Sequence, residues 1–266
     1  MKSVHSPSFF SWFGYALPFQ TRLQHIKNAN FASVAIWLGI EEQMMTDAGY
    51  DEMCSTIASV GMSISSAHAP YKGCNAIWNG SDTEKERLRQ ELTANLKVCK
   101  DYQIPIMVMH LTEGNDPPEP NEDGLSLVRT LGRLAAEASV TIAIENTRKT
   151  STLDFVLSRI ESSGIGFCYD SSHDFLYCEE PTLILRRWGH RLAYTHFSDN
   201  DGREDRHWLP GLGSIDWALI EKAFPKNYNK CISLEVFPKN ANREPIDDFL
   251  KEAHLKGNWL EQALRK

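Results

Sequence analysis

Four residues able to bind a metal, His196, Asp199, Asp205 and His207, fall within the sixteen-residue stretch HFSDNDGREDRHWLPG (196–211). Residues of the same kinds recur at the ends of short apolar runs: His68 ends SISSAH, His110 ends IMVMH, Glu145 ends TIAIE, and Asp170 ends GFCYD with His173 three residues on. Glu235 lies near the end of ISLEVF. Carboxylates and imidazoles without thiolate suit Zn²⁺, Mn²⁺, Fe²⁺ or Co²⁺, and to a lesser extent Mg²⁺. Taken singly, a histidine at a strand end is more often a hydrogen-bonded structural residue than a ligand. Glu145 and Glu235 carry more weight. An unpaired carboxylate closing an apolar strand is costly to bury, and a cation removes that cost. Asp199, Asp201 and Glu204 read as solvated or capping, and Asp216 in GSIDW as first-turn chemistry of a helix.

The elements that must position these side chains follow from periodicity. Apolar runs at 8–13, 33–38, 63–68, 106–110, 141–145, 166–170, 192–197 and 232–237 alternate with amphipathic stretches such as 82–102 and 125–138. Leu88, Leu92, Leu96 and Cys99 fall at three- and four-residue intervals on one helix face, with Asp82 and Thr83 as expected caps. Eight strand-then-helix units in 266 residues predict a (β/α)₈ barrel, a single domain over 1–266. A doubly wound open sheet is the alternative, but no GxGxxG or P-loop supports its nucleotide-binding versions. The least regular segments, 111–121 and 198–213, directly follow strands. In a barrel they lie on the C-terminal face, where active sites occur. His68, His110, Glu145, Asp170, His173, His196, Asp205, His207 and Glu235 then come from six consecutive strand ends around one mouth.

Composition narrows the partners. Hydrophobic content of 42% and charged content of 24% read as an ordinary globular chain. A net charge of -7 argues against a broad nucleic-acid surface. No run of 18 apolar residues predicts a membrane span, and the N-terminus does not read as a signal peptide. The six cysteines are scattered without a CxxC pair, as expected of reduced thiols in a cytoplasmic protein. Oligomeric state, monomer or homo-oligomer, is left open.

The ordered series His68, His110, Glu145, DxxH at 170–173, His196, DxH at 205–207 and Glu235 resembles the xylose isomerase-like TIM-barrel superfamily, across nearly the whole chain. In the sugar epimerase branch, the resemblance implies one divalent ion held by Glu145, Asp170, His196 and Glu235. Glu145 and Glu235 would act as acid and base through an enediolate, with His173 touching substrate oxygens. In the endonuclease IV branch, it implies three zinc ions: one on His68, His110 and Glu145, one on Glu145, Asp170, His196 and Glu235, and one on His173, Asp205 and His207.

Other features of the resemblance favour the isomerase branch. IENTRKTST lacks the glycine-rich turn, and MHLTEG the HPG turn, of endonuclease IV-like chains, while DNDG…DRH…PGLGSIDW looks like the loop of sugar-phosphate isomerase/epimerase-like proteins. One departure stands out: many epimerase relatives have a glutamate just before the second-strand Trp, where this chain has Ile36. The expected partner is a small sugar or sugar phosphate, with no nucleic acid and no membrane. Expected substrate contacts are His68, His110, His173, Trp37, Tyr71 and Arg206, with Trp78 and Trp208 as further stacking candidates. Lys72 and Arg148 read as solvated surface charges.

Overall fold

A computed structural model describes residues 6–39, 49–241 and 243–265. Eight strands form one parallel sheet: β1 (Ser8–Phe10), β2 (Ser33–Trp37), β3 (Ser63–His68), β4 (Ile106–Met109), β5 (Thr141–Glu145), β6 (Ile165–Asp170), β7 (Leu192–His196) and β8 (Ser233–Leu234). Each pairs with its sequence neighbour, and β1 also pairs with β8. The ring closes between β7 and β8 through Phe197, whose N–H donates to the Ser233 carbonyl at 2.9 Å and whose carbonyl accepts from the Glu235 N–H at 3.3 Å. This is the (β/α)₈ barrel expected from the eight runs.

The helices are α1 (Phe19–Asn28), α2 (Tyr50–Ser59), α3 (Ala76–Asn79), α4 (Asp82–Asp101), α5 (Glu122–Glu137), α6 (Thr150–Leu157), α7 (Ser171–Tyr177), α8 (Leu183–Trp188), α9 (Trp217–Ala223) and α10 (Ile246–Leu264). The α4 face of Leu88, Leu92, Leu96 and Cys99 is buried as its spacing requires. Its cap is Ser81 rather than Asp82 or Thr83. Ser81 and Glu84 form a reciprocal capping box, which satisfies two free N–H groups at once.

Strand alternation sorts side chains between two compartments. Met107 and Met109, Ile142 and Ile144, and Phe167 and Tyr169 pack in the cluster that contains the helix residues. The intervening Ile106 and Val108, Ala143, and Cys168 form a separate cluster inside the barrel. The next inward positions on those strands are His110, Glu145 and Asp170. The parity that fills the bore therefore aims these side chains at the C-terminal mouth. Parallel register completes the alignment, setting Asp170 beside His196 and Trp37 beside His68.

The outer runs are shorter than expected. Only residues 8–10 of 8–13 and 233–234 of 232–237 are strand. Beyond β8 the chain leaves its neighbour and binds the 198–213 loop instead, where the Phe237 N–H donates to the His207 carbonyl at 2.6 Å.

Candidate metal centre

At the mouth, one ligand atom from each of Glu145, Asp170, His196 and Glu235 lies within 4.8 Å of every other. Glu145, Asp170 and His196 are buried and Glu235 half-buried. Three carboxylates gathered this closely repel one another unless positive charge lies between them. His196 Nδ1 is 2.9 Å from Glu145 Oε2 and 3.0 Å from Glu235 Oε2. Yet Glu145 Oε2, Asp170 Oδ2 and His196 Nδ1 make no hydrogen bond of acceptable direction. Buried polar atoms are almost always satisfied, so three orphans converging on one point fit a cation better than they fit one another. The oxygen-rich donor set with one imidazole also suits a divalent ion.

The surrounding residues hold these donors in place. Asp170 caps α7 with one oxygen, Oδ1, which accepts from the His173 N–H at 2.7 Å, and leaves Oδ2 for the cluster. Asn146 binds the Asp170 main chain on both sides: its Oδ1 accepts from the Asp170 N–H at 2.8 Å, and its Nδ2 donates to the Asp170 carbonyl at 2.9 Å. Ser171 Oγ donates to the Ser198 carbonyl at 2.7 Å, tying the end of β6 to the chain beyond β7. His68, His173 and His207 each set Nδ1 against a main-chain carbonyl, at 2.8, 3.0 and 3.1 Å. Donation from Nδ1 leaves Nε2 of His68 facing Glu145 Oε2 at 3.4 Å, the arrangement that orients a metal-site histidine, and leaves Nε2 of His173 and His207 facing Asp205.

Burial and charge set the protonation of the cluster. Burial would raise the Glu145 carboxyl, but His196 and His110 hold it well below the usual carboxylate range. Glu235, resisting the same burial through His196 and His207, sits at about 2. Asp170 is pushed up to about 7 by burial, against the pull of His173 and with Glu145 adding to the rise. Burial disfavours a charged His196, but Cys168, Glu235 and Glu145 carry it well above the ordinary histidine value. His110 goes the other way, lowered by burial despite Glu145. Protons on histidine and aspartate thus offset the clustered carboxylates, a role that a bound cation would take over with release of those protons.

Asp205 anchors a second group. Its Oδ2 lies 3.2 Å from His173 Nε2 and 3.1 Å from His207 Nε2, and its Oδ1 accepts from Ser172 Oγ at 2.5 Å. His207 holds a left-handed backbone, φ 49°, uncommon for a non-glycine residue and typical of sites where geometry outweighs strain. The loop behind it is built on Asp199, which is fully buried rather than solvated. Its carboxylate accepts N–H groups from Asn200, Gly211, Ile215 and the Trp217 indole. Gly213 is required there: a Cβ would fall 2.1 Å from the Asn200 carbonyl oxygen.

Above the cluster opens a cavity of about 450 Å³. Its lining includes Glu145, Glu235, His68, His110, His173, Asp205 and His207. Asp170 and His196 are not in the lining and are fully buried. Trp37 and Tyr71 line it, and the Trp37 ring stacks on His68 at 5.0 Å. Arg206 is not brought there. Its guanidinium pairs with Asp201 at 2.9 Å and Glu204 at 2.7 Å, because the tight loop supplies two carboxylates closer than the cavity. Trp78 is core, its indole N–H bound to the Leu111 carbonyl at 2.7 Å. Trp208 lies outside the lining, with the Lys239 ammonium 3.9 Å over its ring. Arg148, expected to be a plain surface charge, does line the cavity, as do Trp12, Thr112, Thr147 and Tyr177. Sequence periodicity marked none of Thr112, Thr147, Arg148 and Tyr177, which reach the mouth from loops and α7, while Trp12 falls in the 8–13 run but lies beyond the end of β1.

The sequence profile described as "Xylose isomerase-like TIM barrel" matches residues 23–255. The uncharacterised protein y4fM of Sinorhizobium fredii (strain NBRC 101917 / NGR234) is 27% identical over 254 residues, covering 83% of this chain and 81% of that protein. A structure of L-ribulose 3-epimerase superposes with a TM-score of 0.76 at 15% identity, over 97% of this chain and 94% of that one. D-psicose 3-epimerase from Clostridium cellulolyticum H10, solved with D-tagatose, gives 0.77 at 14% identity, over 98% and 100%. At such identities the solved structures show a shared fold. With the profile spanning most of the sequence, the chain belongs to the xylose isomerase-like TIM-barrel family.

Proposed function

We propose that the protein is a divalent-metal-dependent isomerase or epimerase of a small sugar, working by proton transfer next to a carbonyl. The observation that carries this reading is that Glu145 and Glu235 belong to one four-residue cluster and also line the cavity above it. A bound divalent ion would supply Lewis-acid polarisation of the sugar carbonyl and stabilise the oxyanion that develops. Glu145, Asp170, His196 and Glu235 would hold it.

The remaining chemistry belongs to the chain. One glutamate accepts the proton from the carbon beside the carbonyl, and the C–H electron pair moves into the carbonyl system to give an enediolate. The other glutamate returns a proton to the opposite face. Epimerisation needs both faces, which one rigid carboxylate cannot readily serve, and the two come from strands β5 and β8. His173 and the ends of His68 and His110 offer polar contacts to sugar oxygens, while Trp37 and Tyr71 offer ring faces. The cavity suits a monosaccharide, since small-molecule pockets run roughly 300–1,000 Å³. The similarity to L-ribulose and D-psicose 3-epimerases points to a ketose and to its third carbon.

A three-zinc phosphodiesterase needs more ion sites than this arrangement favours. Among the described residues the two convergent groups, His68–Glu145–His196 and the four-residue set, share Glu145 and His196, as one ion would require. His173 and His207 both turn Nε2 to the same Asp205 oxygen, so that trio is already paired internally. The test is product formation from a panel of ketopentoses and ketohexoses by protein loaded with Mn²⁺, Co²⁺, Mg²⁺ or Zn²⁺, alongside cleavage of abasic-site DNA. Metal-dependent appearance of an epimer or isomer is expected. DNA cleavage with no sugar conversion would replace this reading with hydrolysis.

A further inference from the structure

The cavity wall carries an arginine that the proton-transfer chemistry does not use. Arg148 lies between β5 and α6, with its guanidinium carbon 4.2 Å from the centre of the Tyr177 ring. Tyr177 stacks in turn on His173, at 5.8 Å and 27°. The two rings sit four residues apart on α7, the spacing that places side chains one above the other. A stacked column of His173, Tyr177 and Arg148 thus runs along the cavity from Asp205, and all four residues line it.

Arg148 has no carboxylate partner among the described residues. Other cations do: Lys149 pairs with Glu119, Arg186 with Glu180, Arg187 with Asp154 and Arg206 with Asp201. Stacking occupies only the face of a guanidinium and leaves its in-plane N–H donors free for a carboxylate or phosphate. Thr147 and Thr112, joined by a 2.8 Å hydroxyl contact, add polar groups on the same wall. The three clustered carboxylates disfavour a substrate anion near the reacting carbon, so any anionic group belongs at the sugar's other end.

We propose that Arg148, held by Tyr177, is an anion subsite, and that the substrate is a sugar carrying a phosphate or carboxylate remote from its carbonyl. This rests on the isomerase or epimerase reading for the identity of the substrate, but its binding test does not need turnover. The probes are D-fructose, its 6-phosphate and its 6-carboxylate (D-fructuronate), titrated calorimetrically into Mn²⁺-loaded protein and into Arg148→Ala and Arg148→Lys. Bound metal is measured on the same samples as a check that the barrel is intact.

At least one charged sugar binds on the order of ten- to a hundredfold tighter than D-fructose, the range of charge-assisted hydrogen bonds. Arg148→Ala collapses that ratio toward one, and Arg148→Lys restores part of it. Which charged probe gains more separates phosphate from carboxylate. Equal binding of all three, none at all included, or a charge preference that survives Arg148→Ala, overturns the subsite. Solvent deuterium entering a ketose without any Arg148-dependent preference keeps the isomerase reading and rejects the subsite. An Arg148-dependent preference with no exchange in any sugar does the reverse.

Discussion

Glu145 and Glu235 are asked to do two jobs, and their surroundings differ in a way that bears on both. Glu145 is buried and approached by His68, His110 and His196 at 3.4, 3.3 and 2.9 Å. Glu235 is half-buried and nearer solvent. Replacing either by glutamine is expected to slow proton exchange on the order of 10²–10⁴-fold, the usual weight of a positioned acid or base. Rates must be expressed per bound ion, since each is also a proposed ligand. An unchanged rate per ion in either variant would remove that glutamate from the chemistry. Asp205 and His207 make a separate case. Their joint replacement by alanine is expected to leave one ion bound while weakening sugar affinity and turnover. Unaltered metal content, affinity and turnover together would strip the cluster of a role.

At the scale of elements, the cluster depends on strand ends being fixed to each other. Asn146 spans from the end of β5 to both polar groups of Asp170 on β6. Asn146→Ala leaves two buried main-chain groups unpaired and is expected to cost about 1–3 kcal/mol for each left unsatisfied. Thermal unfolding reads the stability and metal titration reads the displaced Asp170. A variant of wild-type stability and metal affinity would show that the strand ends hold their own register. The strands were legible because buried parallel strands read as apolar runs, and each ligand closes one of them. Asn146 was not, because a polar residue after a strand looks like any loop residue until its partner, 24 positions on at the end of the neighbouring strand, is known. Asp199 and Arg206 were misread for a related reason. The sequence shows charge, whereas the fold folds 199–215 back on itself, burying one carboxylate among N–H donors and giving the arginine acidic neighbours. Arg148 was misread in the opposite sense, since nothing local marks a cationic side chain that stacks on a ring 29 positions away.

For the whole molecule, the proposed cation at the mouth would couple stability to metal. The ion would bind the folded barrel, its proposed ligands coming from β5, β6, β7 and the end of β8, and the unfolded chain would keep no such site. Metal at a hundredfold over its dissociation constant stabilises by about 2.7 kcal/mol. For a chain of this size that amounts to a rise in Tm on the order of 5–10 °C. Scanning calorimetry before and after chelation and re-addition of Mn²⁺ checks it. A Tm indifferent to metal, with metal analysis confirming removal and return, would contradict a buried cation centre. Among the described residues no helix is long and apolar enough to cross a membrane. The cysteines are free thiols, four of them buried, so the barrel is held by packing and strand pairing rather than by disulfides.

The most direct measurement is solvent deuterium incorporation into ketoses by the metal-loaded protein in D₂O, followed by mass spectrometry and NMR. Deuterium at the carbon beside the carbonyl is predicted, dependent on metal and lost in both Glu145→Gln and Glu235→Gln at matched ion occupancy. Metal-loaded protein that leaves every ketose unlabelled, free or charged, while cleaving a phosphodiester would contradict proton transfer between two glutamates as the work of this site.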